Sequence, residues 1–159
     1  MAADIEYNLS NNTNYKLEIA GYPNLTYFVT STQLPQMSMQ PVQTDFRGNQ
    51  CIVPGDKIEY DSLTVEFLVN EDWANYIELY KWIKDQRWKN NPKDHFSDLT
   101  LWVLNNNKLP ITKIVYYDAF PTSVSELDFD SSTTEPVNLT CSVTFSYQSF
   151  SLFKGDVEL

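Results

Sequence analysis

Between Tyr60 and Trp88 the spacing of apolar residues changes once, and that change calls for a strand feeding directly into a helix. Leu63, Val65, Phe67 and Val69 fall on alternate positions, with Ser62, Thr64 and Glu66 between them, the period-two pattern of a half-buried strand. At Asn70-Glu71-Asp72 the period lengthens. Advancing about 100° per residue, Trp73, Tyr76, Ile77, Leu79, Tyr80 and Ile83 share one broad apolar face, and Glu78, Lys81 and Asp85 lie opposite. Asp72 reads as the cap, the acidic triplet suits the positive N-terminal end, and Asn91-Pro92 stops the run, so the helix is expected over 72–90. Trp82 projects toward the polar side, where an exposed Trp is a favoured interface anchor.

The flanking chain is β-rich. Residues 1–14 are polar and rich in Asn, an N-terminal arm. Tyr15, Leu17 and Ile19 alternate with Lys16 and Glu18; after the turn-forming Gly21-Tyr22-Pro23-Asn24, Leu25, Tyr27 and Val29 alternate with Thr26, Phe28 and Thr30. That pattern predicts a hairpin. Leu99, Leu101 and Val103 mark a further strand, Asn105-Asn106-Asn107 turns the chain, and Ile111–Tyr117 returns with both faces partly apolar, as in a strand covered on both sides. Pro121 marks an edge or a bend. Ser125, Leu127 and Phe129 alternate with Glu126, Asp128 and Asp130, which predicts a strand with an acidic face. In the last strand Leu139, Cys141, Val143, Phe145 and Tyr147 form the core side, and Thr140, Ser142, Thr144 and Ser146 form a ladder of hydroxyls. About seven strands and one helix, without βαβ alternation, make a mainly antiparallel β-sandwich or barrel with a flanking α-helix, in a single domain over 1–159.

Residues 32–58 break this regularity. Pro35, Pro41, Pro54, Gly48 and Gly55 interrupt any long element, yet Leu34, Met37, Met39, Val42, Phe46, Ile52 and Val53 are too apolar for a solvated linker. A loop of this length in a small domain is usually functional. The expectation is an extended hairpin or arm that buries these side chains on another subunit.

Catalytic and metal chemistry find little material. Among 159 residues there are four Gly and one His, so neither a phosphate cradle nor a histidine-based site has its components. His95 lies in a polar connection and reads as solvated. Glu126, Asp128, Asp130 and Glu135 could suggest a calcium site or a carboxylate pair, but their spacing follows the predicted strand alternation. Cys51 and Cys141, far apart in sequence, read as reduced thiols. The start lacks the basic and apolar regions of an export signal, and no run reaches the length of a membrane span. No enzyme and no cofactor are expected. A net charge of −10, with no basic patch, argues against autonomous nucleic-acid binding. A small carbohydrate- or calcium-binding β-sandwich module is the alternative from another class, although a free module has little reason to carry so apolar an arm.

The run Tyr60-Asp-Ser-Leu-Thr-Val-Glu-Phe-Leu-Val-Asn-Glu-Asp-Trp-Ala-Asn-Tyr-Ile-Glu-Leu-Tyr-Lys-Trp-Ile83 resembles the strand-to-helix segment of bacteriophage tail tube proteins of the contractile-tail (myovirus) type. Phe28-Val-Thr-Ser-Thr-Gln-Leu-Pro35 is similar to the strand leading into their inter-ring loop. Asp118-Ala-Phe-Pro-Thr-Ser-Val-Ser-Glu-Leu-Asp-Phe129 and Val143-Thr-Phe-Ser-Tyr147 are similar to their closing strands. The resemblance spans most of the chain. It implies a homo-oligomer: hexameric rings whose strands join in one β-barrel around a channel, stacked into a tube inside a contractile sheath.

On that resemblance, Met37, Met39, Val42, Phe46, Ile52 and Val53 make inter-ring contacts, and Trp82 meets the sheath or a neighbour. The lumen is lined either by Thr140, Ser142, Thr144 and Ser146 or by Glu126, Asp128 and Asp130. Sheath, tape-measure and baseplate proteins are the implied partners, and DNA passes through without specific binding. Six copies at −10 each carry −60 per ring, a field that disfavours phosphate adhesion. The implied location is the virion tail, assembled in the host bacterial cytoplasm with no membrane anchor. Alternative positions within the same fold are a baseplate initiator, a neck terminator, or the inner tube of a contractile injection or secretion system.

Overall fold

A computed structural model describes residues 8–87 and 90–159; residues 1–7 of the expected arm and the far end of the expected 72–90 helix at 88–89 lie outside them. In chain order the elements are β1 (Tyr15–Ile19), α1 (Pro23–Tyr27), β2 (Val29–Thr32), β3 (Met37–Met39), β4 (Val42–Phe46), β5 (Asn49–Val53), β6 (Ile58–Tyr60), β7 (Leu63–Leu68) and α2 (Ala74–Asp85). A 3-10 turn at Pro92–His95 leads to β8 (Ser97–Leu104), β9 (Pro110–Val124), β10 (Thr140–Ser146), β11 (Ser149–Lys154) and β12 (Val157–Glu158).

The main sheet runs β1-β8-β9-β10-β7-β2 with every pairing antiparallel, and β11 and β12 branch from β9. β9 makes the fold. Its first half pairs with β8 and β11, and its second half crosses to pair with β10. The crossing falls at Asp118, whose φ is 53° and whose backbone N–H donates to Asp98 Oδ1 at 3.1 Å. Pro121 follows, buried, beside the register shift between Thr144 and Phe145. A bulge that turns a strand between layers is what lets one long strand close a sandwich. Leu17, Ile19, Leu99, Leu101, Ile114 and Tyr116 from one layer meet Leu63, Val65, Phe67, Cys141, Val143 and Phe145 from the other, and Leu25, Leu79 and Trp82 close the core from the helices.

Three expectations about the strands need correction. The predicted hairpin at 15–30 does not form: β1 pairs with β8, β2 pairs with β7, and residues 23–27 are helical. Gly21, at φ 81°, turns the chain, and Pro23 starts a short helix that buries Leu25. The acidic stretch at 125–130 is irregular, not a strand. The ladder stops at Val124 because the Ser125 hydroxyl takes the Ser142 N–H at 2.9 Å. The strands number twelve among the described residues, since the 32–58 region holds four of its own.

The α2 face is also rotated. The helix is shorter than the expected 72–90: it begins at Ala74, after Trp73 in a left-handed conformation (φ 62°), and ends at Asp85, with residues 86–87 already a turn. Asp72 Oδ1 accepts from Ala74 N at 3.3 Å. The residues driven inward are Asn75, Leu79 and Trp82, while Ile77 and Tyr80 stay exposed. Asn75 sets the phase. Its amide donates to Leu68 O at 2.6 Å and its oxygen accepts from Asn70 N at 3.3 Å, pinning the helix to the end of β7. Trp82 is therefore 4% exposed, not a surface anchor. Tyr22 stacks on it at 4.3 Å, and its indole N–H donates to His95 O at 3.1 Å. The cover comes from α1 and the 3-10 turn, elements that a helical projection of α2 alone does not contain.

Candidate assembly surfaces

Three exposed regions gather the residues singled out in the sequence. The first is the arm. β3 pairs with β6, and β4 with β5, so residues 37–60 form one antiparallel hairpin in two segments. The elbow lies where Gly55 meets Gln40; a Cβ on Gly55 would stand 2.1 Å from Gln40 O, so only glycine fits. At the tip Arg47 (φ 51°) and Gly48 (φ 81°) both turn left-handed, the requirement of a tight two-residue hairpin turn. Met37, Met39, Val42, Phe46, Ile52 and Val53 are all 40–69% exposed. The register places Val42 opposite Val53, Thr44 opposite Cys51 and Phe46 opposite Asn49, so Val42, Phe46 and Val53 share one face of the outer segment, while Ile52, opposite Gln43, lies on the other and Met37 and Met39 belong to the inner segment.

The second region is the outer face of the sheet formed by β2, β7, β10 and the end of β9. Thr140, Ser142, Thr144 and Ser146 point away from the core side, where Cys141, Val143 and Phe145 are buried. Across the register Ser142 faces Glu66, and Thr144 faces both Thr64 and Ser123. Ser31 donates to Glu66 Oε2 at 3.0 Å. The face is thus hydroxyl-rich, with the Glu66 carboxylate at its middle. Glu66 was not among the expected lining residues, although the β7 alternation already set it opposite the core. This four-strand sheet is bounded by β2 on one side and by residues 120–124 of β9 on the other, and each pairs on one side only among the described residues. Unpaired strand edges are templates for another chain.

The third region is the irregular stretch 125–139. Glu126, Asp128 and Asp130 do not line a strand face there. Asp130 accepts from both the N–H and the hydroxyl of Ser132, which lowers its carboxyl pKa. Phe129 is 73% exposed and stacks on Trp73, with centroids 6.0 Å apart and planes within 4°.

The chemistry of these surfaces is that of contacts. Among the described residues no group of three or more His, Cys, Asp or Glu side chains is placed to hold a metal ion. Cys51 lies on the arm and Cys141 in the core, both as free thiols, and burial pushes the Cys141 thiol pKa up. No helix of the described residues is long and apolar enough to cross a membrane.

The model of the T4-like virus tail tube protein gp19 family matches residues 11–151. The tail tube terminator protein of Enterobacteria phage T4 is 26% identical over 93% of this chain and 91% of its own length. Among solved structures, the tube-terminating cap of the anti-feeding prophage superposes with a TM-score of 0.72 at 16% identity, covering 98% of this chain and all of that one. A chain of the sheath–tube complex of an extracellular contractile injection system gives 0.71 at 18%, covering 94% of each.

Proposed function

The chain belongs to the T4-like virus tail tube protein gp19 family, a structural and non-enzymatic component of contractile tails, and from that premise we propose that it closes the end of the tail tube as a terminator ring. Six copies join edge to edge, β2 of one subunit beside residues 120–124 of the next. The hydroxyl-rich face then lines the channel and α2 lies on the outside. What carries the ring is the pair of open edges on a single four-strand sheet: joining them removes every exposed edge of that sheet. What supports the end position over the shaft is the likeness to the T4 terminator along nearly the whole chain.

A wall of Thr and Ser hydroxyls with one carboxylate per subunit offers phosphate no cation to hold. DNA can therefore slide without the sticking that each Lys or Arg contact adds. Sheath outside, tape measure inside and baseplate at the far end are the partners this position implies.

The test uses the purified chain alone and with tubes of the tube-forming protein from the same virus. A terminator gives short ring assemblies alone, decorates tube ends by negative-stain microscopy, and shortens tubes as its proportion rises. Long tubes from the chain alone would support the shaft position instead. A chain that remains monomeric at high concentration and ignores tubes would remove the ring reading altogether.

A further inference from the structure

Two exposed surfaces stand at the same end of the hydroxyl-faced sheet but on its opposite edges. Tyr27 and Phe28 lead into β2 at the Leu68 end, where Leu68 N donates to Phe28 O at 3.0 Å. The 125–139 stretch begins and ends at that same end, where Ser125 N donates to Ser142 O at 2.7 Å and Val69 N to Leu139 O at 2.9 Å. Between β2 and residues 120–124 lie β7 and β10, so three strand spacings, about 14 Å, separate the two edges. Every pairing across them is antiparallel, so the two edge strands run in opposite directions. Rotating copies about a channel sets the β2 edge of one beside the 120–124 edge of the next, with their Leu68 ends together. The first surface of one subunit then adjoins the second surface of its neighbour.

The two surfaces are complementary. Tyr27 is 83% exposed and meets Phe28 edge-on at 5.1 Å. It walls a groove of about 560 Å³ between β1 and β2, lined also by Leu17 and Val29, in which Lys16 is the one charged residue among those described. Lys16 Nζ pairs with Glu18 at 2.6 Å, yet its side chain stays 61% exposed and open to a further carboxylate. The 125–139 stretch carries Glu126, Asp128, Asp130 and Glu135 and no Lys or Arg. One face of Phe129 stacks on Trp73, with centroids 6.0 Å apart, and 73% of the residue remains exposed.

We propose that Tyr27 and Lys16 of one subunit seat the Glu126–Phe129 segment of its neighbour within the same ring. The inference rests on the ring reading above and names the side chains that fix the register of the joint. Tyr27 covers the open face of Phe129, and the Lys16 ammonium meets the Glu126 and Asp128 carboxylates. Backbone pairing alone does not fix that register, because a slip of two residues keeps every side chain on its own face. Such a slip moves the edges by about 7 Å and parts Tyr27 from Phe129. Unlike surfaces related by a rotation that closes give a ring and no open-ended chain.

The experiment uses the full chain with Cys51→Ser, which leaves only the buried Cys141. Tyr27→Cys and Phe129→Cys are placed together in one chain, treated with a short thiol-to-thiol linker and sized by denaturing electrophoresis. A ladder of linked chains rising to the ring number is expected, whereas a mixture of the two single-cysteine proteins gives linked pairs only. In sedimentation, Tyr27→Ala and separately Lys16→Glu weaken ring assembly by about tenfold or more, while thermal unfolding of the dissociated subunit matches the parent. Adding Glu126→Lys and Asp128→Lys to Lys16→Glu restores assembly, because the charges are then exchanged and not lost. The inference is overturned if rings form and the linker joins no two chains, or if Tyr27→Ala assembles like the parent. It is overturned too if the exchanged variant assembles no better than Lys16→Glu, or if these variants form normal rings and lose only tube-end docking. A parent that forms no rings overturns the ring reading as well.

Discussion

Trp82 and Tyr147 show how much a single side chain can owe to segments distant in sequence. Trp82 is held between Tyr22 and Phe145 with its indole N–H satisfied by His95 O, so it acts through stability. Trp82→Ala should destabilise the subunit by about 3–5 kcal/mol, the usual cost of emptying an aromatic core site, as read by denaturant unfolding. Rings rescued at low temperature should still dock on tube ends normally. Tyr147 packs against Tyr116 and Phe150. Burial first, then the charge of Asp61, pushes its phenol pKa up to about 12. An unfolded tyrosine loses its proton near pH ~10, so the unfolded chain ionises first. The stabilisation is whole below that pH and is lost as pH rises through about 12. Tyr147→Phe should cost about 1 kcal/mol at neutral pH through the lost bond to Asp61 O, yet flatten the alkaline decline. Tyr116, whose pKa burial also raises, keeps part of that decline, and thermal melts from pH 7 to 12 in both proteins would measure the difference.

Among the elements, the arm and α2 are governed by small local fits. The arm bends where the backbone of Gly55 touches that of Gln40. Gly55→Ala forces those strands apart at the elbow, far from the core. Its expected effect is a global unfolding free energy within about 1 kcal/mol of the parent, together with a loss of tube-end docking. Equal docking by Gly55→Ala and parent would show that the aim of the arm does not matter. In α2 the phase follows the Asn75 amide clamped between Leu68 O and Asn70 N, and this exposes Ile77 and Tyr80 in place of Trp82. A helix registered by a buried hydrogen-bonded amide need not present its most hydrophobic arc inward, because leaving that amide unpaired costs about as much as wetting an aliphatic side chain, and the same rotation buries Trp82 in place of Ile77 and Tyr80.

For the whole molecule the decisive property is the distribution of charge in the proposed ring. The −10 of each subunit lies largely away from the hydroxyl-rich face, on which Glu66 is the acid paired to Ser31. If that face lines the channel, Glu66→Lys changes the wall by two charges per subunit at its middle. Salt-dependent retention of double-stranded DNA should then appear in a filter-binding assay where the parent retains none, and particles carrying the variant should eject DNA more slowly. A Glu66→Lys ring with no added affinity for DNA would place that face elsewhere than the lumen.

The sequence alone determined the elements whose apolar residues repeat with one period and face one partner. The alternation at Leu63–Phe67, Leu99–Leu101 and Cys141–Phe145 names core residues that are buried in the structure, and the order of these stretches carries the family likeness. The apolar content of residues 37–53 likewise marked an arm with unmet contacts. Only the tertiary structure decided the rest, and for one reason: the period of a segment does not say what covers it. Leu25, Tyr27 and Val29 alternate like a strand, yet Pro23 opens a helical turn over residues 23–27 that buries Leu25 and leaves Tyr27 exposed. Glu126, Asp128 and Asp130 alternate as well, but the Ser125 side chain ends the ladder before they can join it. Local periodicity records a segment's own preference, whereas partner, register and phase come from contacts between residues far apart in the chain.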